Sequence, residues 1–373
     1  MHIKTIEPIA ISLPMLKPVI MAGEEIRRAD NVVVRIESDN GVIGWGEAGS
    51  APMHTGETVE SMATAVEYLT PALRGRAADD IDGATAAMAG RMYGNHGAKA
   101  AIEIALHDMA GRAMGKPVHA LLGEKKRNRI PLLGVIGGGD LGGDLRDAET
   151  KRNAGFTAFK IKVGISAPDD DATRTRDICK ILGSGKLISA DANQGYSKEQ
   201  ALSYVRAVNG CGLDFFEQPV PGDDLDGMAD IAAATKIAIG ADEGIHSLDD
   251  IRRHHECKAA RGVSLKAIKL GGIRAVIEAS ELCDRLGMSV NISCKTGESS
   301  IACAAALHVA SVVPDIGWAL TLTHIGLAED VTSNPMSTGK GHVDSLDRPG
   351  LGIEVDEDRV RRHRVALAAR NVA

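Results

Sequence analysis

No apolar run in the 373 residues approaches the roughly 20 needed to cross a bilayer, so the chain offers no membrane-spanning helix and no membrane partner. The opening stretch MHIKTIEPIAISLP lacks the charged and apolar blocks of a signal peptide and reads as a first strand. Positive charge is not in excess. Lys and Arg total 43 against 50 Asp and Glu, a formal net charge of −7, which disfavours a nucleic acid held on a broad basic surface. The one basic cluster, RVRRHR at 359–364, reads as a solvated helix face. The cysteines Cys179, Cys211, Cys257, Cys283, Cys294 and Cys303 are scattered, with no CxxC and no metal-type spacing. They read as the reduced thiols of a cytoplasmic protein. What remains is ordinary for a soluble globular chain, 44% hydrophobic and 25% charged. Its length suits one large domain and a smaller one.

The pattern changes along the chain. Residues 1–50 read as strands, and NVVVRIES and GVIGWGEAG flank Asp39, Asn40 and Gly41, a hairpin signal. Helical patterns fill 56–122, so this part reads as an α+β domain. From about residue 130, eight short apolar strands alternate with helical segments: IPLLGVIG, AFKIKVG, LISADANQ, LDFFEQPV, IAIGADEG, GVSLKAIKL, MSVNISCK and WALTL. Polar residues near consecutive strand ends, Lys162, Asp191, Glu217, Asp242 and Lys266, recur at steps of 29, 26, 25 and 24. Each step holds one strand, one helix and two short loops, which predicts a (β/α)8 TIM barrel rather than an open sheet. The expected division is an α+β capping domain over 1–125, completed by about 350–373, with the barrel over 126–349.

Working residues of such barrels lie at the C-terminal strand ends. Asp191, Glu217 and Asp242 come from three consecutive strands and would converge. Each carboxylate alone is explained by a salt bridge or a helix cap. Three together repel unless a cation joins them, and Mg²⁺ suits a few carboxylates with open positions. In FKIKVG, Lys160 and Lys162 point the same way, because side chains alternate along a strand. Lys266 faces inward on the sixth strand, opposite the second, and Lys269 falls on the other parity or just past the end. A lysine then stands on each side of the metal. Desolvation and nearby cations are expected to lower a lysine toward neutrality, where its amine can take a proton. The metal would stabilise charge on a carboxylate deprotonated at its α-carbon.

Two glycine-rich stretches compete for attention. GWGEAG at 44–49 matches GxGxxG but follows a hairpin, and Glu47 would repel a phosphate. GGGDLGG at 137–143 reads as a flexible connection after the first barrel strand.

The set FKIKVG, DAN, EQP, ADE and K..K.GG, in this order, resembles the enolase superfamily, in its muconate-lactonizing-enzyme (muconate cycloisomerase) subgroup of the mandelate racemase/muconate lactonizing enzyme family. The resemblance spans essentially the whole chain, through RPGLGIEVD at 348–356. It implies Mg²⁺, or Mn²⁺, on Asp191, Glu217 and Asp242. It implies acid/base roles for Lys162 and Lys266 on opposite faces of a small carboxylate substrate, with Lys160 as an electrostatic helper; a lysine base with Mg²⁺ is general for these sites. Asn193, Glu243 and Lys269 would support the ligands or the substrate, Glu298 in GESSIA would lie near the substrate, and a homo-oligomer is implied. His54 and Met53, and the loop around Met21 and Glu24, fall where the family's cap reaches over the site.

The expected chemistry is α-proton abstraction by an isomerase: cycloisomerisation of a muconate-like acid, or racemisation or epimerisation of an amino-acid derivative. A dehydratase of a hydroxy acid or hydroxyproline-like substrate would use the same residues. A Schiff-base aldolase on Lys162 or Lys266 is the rival of another class, although it leaves three carboxylates without a purpose. A catalytically dead barrel used for binding is the third. Dipeptide epimerases of the subgroup resemble this chain in DANQGY but carry Asp-x-Asp at the end of strand 8. The matching stretch here is PDIGWALTLTH, where Asp315 is followed by Gly317 and Trp318. A substrate without a free terminal ammonium is therefore expected.

Overall fold

The computed structural model describes residues 1–21, 24–137 and 140–367. Strands β1 (Ile3–Met21), β2 (Glu24–Ser38) and β3 (Ile43–Gly49) form an antiparallel sheet in that order. The expected turn joins β2 to β3, with Gly41 at φ 84, a left-handed conformation that suits glycine. Alternation along β2 makes the sheet two-faced. Val32, Val34 and Ile36 join a core shared with the helices Val59–Leu73, Ile81–Arg91 and His96–Met114, while Val33 faces the main core.

The glycines of GWGEAG are a packing device. A Cβ on Gly46 would lie 1.9 Å from the Ala101 carbonyl oxygen, and one on Gly44 would lie 2.2 Å from that of Ala105. Glycine lets β3 lie directly on the helix His96–Met114. No phosphate-binding loop is involved.

A short strand β4 (Arg129–Pro131) precedes the barrel. The barrel strands are β5 (Leu133–Ile136), β6 (Ala158–Lys162), β7 (Leu187–Asp191), β8 (Phe215–Glu217), β9 (Ala238–Ala241), β10 (Gly262–Leu265), β11 (Ser289–Ser293) and β12 (Leu320–Thr321). They run parallel in chain order, and a parallel bridge from Leu132 to Leu320 joins the two ends. β13 (His342–Asp344) pairs antiparallel with β4. The intervening helices start on recognisable caps. Ser197 and Gln200 form a capping box, and Asp224 and Ser247 accept from the backbone three residues on. Part of GGGDLGG departs from the expected loop. Asp140 accepts from Gly143 N and caps a helix, Leu141–Asn153; Gly138 and Gly139 lie outside the described residues.

Buried carboxylates join the first sheet and its helices to the barrel. Glu47 of β3 accepts from Ser299 N, Ser299 Oγ and Ala302 N, so it caps the helix Ser300–Val312. Glu103 does the same for the helix Ile273–Leu286 through Ile273 N and Arg274 N. Helix N-termini favour negative charge, so each contact fixes the cap over the strand ends. The C-terminal segment returns to this sheet, where Val365 N donates to Ala10 O beside the bridge from Ile11 to Arg364. The helix Glu357–His363 carries RVRRHR, and Arg361 pairs there with Asp358 and Glu357.

Candidate active site

The parity read from FKIKVG holds. Lys160 and Lys162 both point into the barrel, and the pairing Lys162 to Asp191 to Glu217 places three charged residues at one level. Asp242 stands just beyond the end of β9. Lys266 follows β10 in extended backbone, and a short helical turn, Ala267–Leu270, brings Lys269 back beneath it. Lys269 is thus placed by a turn and not by strand parity.

The charges interlock. Lys160 Nζ lies 2.6 Å from Glu217 and 3.5 Å from Asp191. Lys162 Nζ donates to Asp191 at 2.8 Å and to Asn193 Oδ1 at 2.5 Å. Asn193 Nδ2 donates to Glu243 at 3.1 Å, and His54 Nε2 lies 3.4 Å from the same Glu243 oxygen. Across the barrel, Asp242 holds Lys266 at 2.5 Å and Lys269 at 2.6 Å. Lys162 alone of these charged side chains keeps appreciable exposure, 22% against 8% or less for the others, so it faces the opening.

Glu298 is not part of this network. Its oxygens accept from Gly49 N at 3.0 Å and Lys295 N at 2.8 Å, clamping the loop after β11 to the cap. Burial pushes its carboxyl up to about 7. Of the expected cap contacts, His54 reaches the site, Met53 is exposed, and the side chains of Met21 and Glu24 lie outside the described residues.

Burial lowers Lys160 and Lys266, and the adjacent carboxylates outweigh it and hold both above the ordinary lysine value. Lys269 is lowered, by burial and then by Lys266. Burial and Asp242 push Glu243 up to about 8. His54 falls to about 3 through burial and the Lys266 charge, so its ring is neutral at pH 7.

Among the described residues one set of three donors is drawn together tightly enough for a hard cation, and it shares only Asp242 with the expected triad. His54, Asp242 and Glu243 present ligand atoms within 4.8 Å of one another. Asp191, Glu217 and Asp242 occupy successive strand ends, and burial, then repulsion from Asp191 and Asp242, push Glu217 upward. Glu217 Oε2 and Glu243 Oε2 are buried and accept no hydrogen bond, although Lys160 sits beside the former. Buried oxygens with spare lone pairs among repelling carboxylates fit Mg²⁺ or Mn²⁺.

Several contributors were not anticipated. Gln218, at φ 34, accepts from Asp242 N at 2.8 Å and so positions that carboxylate. Asn193 and Gln194 are also left-handed, at φ 42 and 67. Such backbone costs about 1–3 kcal/mol per residue and clusters at functional sites. Below the charges, Ser264 Oγ donates to Glu217 at 2.9 Å and contacts Asn291 Oδ1 at 3.2 Å. Strand parity points to Ser264, two residues before Lys266.

The eighth strand needs a correction. Trp318 stacks on Phe215 at 3.9 Å between ring centres and crowds Gly240 and Gly262, so it plugs the lower end of the barrel. Asp315 lies before the strand, bonded to Gly317 N and Val290 N. Ala319, at φ 61, turns the chain into β12 only afterwards. The residues at the upper end are therefore Thr321, Leu322 and Thr323. The absence of a carboxylate pair stands, on different residues.

A small cavity of about 20 Å³ beside Glu47 and Glu298 has room for little more than one water and is no substrate site.

Two family models match: the mandelate racemase/muconate lactonizing enzyme N-terminal domain over residues 6–123, and the enolase C-terminal domain-like model over 144–359. An N-succinyl-L-Arg/Lys racemase of Bacillus cereus is 31% identical, with 97% of each chain covered. A chloromuconate cycloisomerase of Cupriavidus necator is 29% identical over 97% of this chain and 99% of its own. The crystal structure of a muconate lactonizing enzyme from Pseudomonas fluorescens complexed with muconolactone superposes with a TM-score of 0.93 at 29% identity, covering 98% of this chain and 99% of that one. That of the Bacillus cereus racemase gives 0.93 at 30% identity, covering 98% and 99%. With the barrel, the cap and the lysine–carboxylate ladder in place, the chain belongs to the mandelate racemase/muconate lactonizing enzyme family of the enolase superfamily.

Proposed function

We propose that this enzyme is an isomerase that removes and returns the α-proton of a carboxylate between Lys162 and Lys266, with Mg²⁺ held by Asp191, Glu217 and Asp242. The supporting observation is the placement of the two lysines on β6 and just after β10, the second and sixth strands of the eight, on either side of the carboxylates. Bound Mg²⁺ would stabilise negative charge developing on the substrate carboxylate.

The residues of the chain carry the proton. In one direction one lysine is the free amine and accepts the α-proton, while the other, as ammonium, returns a proton to the opposite face. The roles exchange in reverse. Asn193 holds Lys162 from the side, and Gln218 holds the Asp242 backbone. Lys160, buried between Glu217 and Asp191, keeps these carboxylates together and contributes positive charge near the substrate carboxylate. Thr321 and Thr323 offer only hydroxyls, so a substrate ammonium at that end would lack a counter-charge, a cost of several kcal/mol.

The relatives act, by name, on an N-succinyl amino acid and on chloromuconate. An N-acylated amino acid or a muconate-like acid is the substrate class this site suits. Metal dependence is the first test. Activity should vanish in excess EDTA, return with Mg²⁺ or Mn²⁺, and fall with metal affinity in Asp191→Asn. Full turnover in EDTA would overturn the metal assignment.

A further inference from the structure

Lys295 stands two residues past β11, on the rim between barrel and cap. It is only 7% exposed, running against Gly49 of β3, where a Cβ would meet Lys295 Cδ at 2.9 Å. Among the described residues, nothing accepts a hydrogen bond from its Nζ and no carboxylate lies within ion-pair distance. The nearest acids are otherwise engaged. Glu298 bonds Gly49 N and the Lys295 backbone, Glu47 caps the helix Ser300–Val312, and Asp30 accepts from Ser12 Oγ at 2.5 Å. Every other lysine buried in this region has a carboxylate partner. An ammonium on a largely buried stem, with no acceptor of its own, is a ready place for an incoming anion.

The neighbours define what arrives. Lys295 follows β11, which pairs in parallel with β10, so it lies at the same end of the barrel as Lys266, which follows β10. Thr323 Oγ1 donates to the Lys295 carbonyl at 2.8 Å, which ties the neutral end of the eighth strand to this lysine. This wall of the site therefore presents one positive charge and uncharged hydroxyls.

We propose that Lys295 binds a second anionic group of the substrate, a distal carboxylate, so that the enzyme acts on a dicarboxylate. This rests on the proton-transfer reading above for the first carboxylate. Lys295 is a specificity residue and takes no part in moving the proton.

The test separates binding from turnover. Calorimetry compares α,ω-diacids from succinate to pimelate with their monomethyl esters, on the Mg²⁺-loaded enzyme. Wild type should bind at least one diacid tenfold or more tighter than its half-ester. Lys295→Met should reduce that preference to under twofold while leaving half-ester affinity unchanged. Should Lys295→Met not fold, Lys295→Gln takes its place, and the wild-type preference decides without any variant. No diacid preference in wild type, or equal weakening of diacid and half-ester in the variant, overturns the proposal. In parallel, α-proton exchange in D₂O is followed on an N-succinyl amino acid and its terminal methyl ester. Exchange of neither, beside a clear diacid preference in calorimetry, overturns the reaction and leaves the Lys295 assignment standing.

Discussion

Replacing Asp242 by Asn keeps its shape and deletes its charge, and the cost follows from what surrounds it. Asp242 is the shared counter-ion of Lys266 at 2.5 Å and Lys269 at 2.6 Å. Lys269 is fully buried, and its further acceptors are the carbonyls of Asp242 and Ser264. Removing one partner of a buried ion pair costs about 3–5 kcal/mol, because the remaining charge has no water to turn to. At about 1.3 °C per kcal/mol for a chain of 373 residues, the melting temperature should fall by about 4–6 °C. The assay is thermal unfolding followed by circular dichroism in excess EDTA, so that metal does not contribute. Lys269→Met should also destabilise. The double variant should lose less than the sum of the singles, by a coupling of about 0.5–3 kcal/mol. An Asp242→Asn loss below about 1 kcal/mol, or strict additivity, would refute the view that Asp242 holds these lysines in place.

Gly46→Ala should cost at least about 1–3 kcal/mol, since the new methyl meets backbone 1.9 Å away; an unchanged melting temperature would show that β3 does not lie against the helix His96–Met114 as described. Acid should destabilise the enzyme through His308, which burial lowers to about 3. Below about 6.5 the unfolded histidine takes a proton that the folded one refuses, so stability present above that pH is lost as pH falls toward 3. His308→Gln should flatten this limb by up to one proton, and an unaltered slope would contradict the assignment. Dipeptides such as Ala-Glu should be poor substrates, and a kcat/KM above ~10⁴ M⁻¹s⁻¹ on one of them would contradict the neutral end of strand 8.

The barrel was legible because strands two to six each end at, or one residue before, a charged residue and the spacing repeats; parity then fixed which side chains meet. Gln218 and Glu47 were not legible. Glu47 acts on a helix about 250 residues away, and such a distant partner leaves no local pattern. The end of strand 8 was misplaced by six residues, at Asp315 and Gly317 in place of Thr321 and Thr323, since WALTL looks uniformly strand-like and only the left-handed Ala319 reveals where β12 begins. Lysine protonation was not legible for another reason. Sequence shows that lysines cluster, but the sign of the shift depends on carboxylate distances such as the 2.6 Å between Lys160 and Glu217.

Solvent exchange at the substrate α-carbon tests the central claim most directly. In D₂O with Mg²⁺, wild type should incorporate deuterium into both stereoisomers of an N-acylated amino acid. Lys162→Ala and Lys266→Ala should each abolish interconversion, and each should retain exchange of at most one isomer, opposite in the two variants. Either variant exchanging both isomers at the wild-type rate would contradict proton transfer between two opposed lysines.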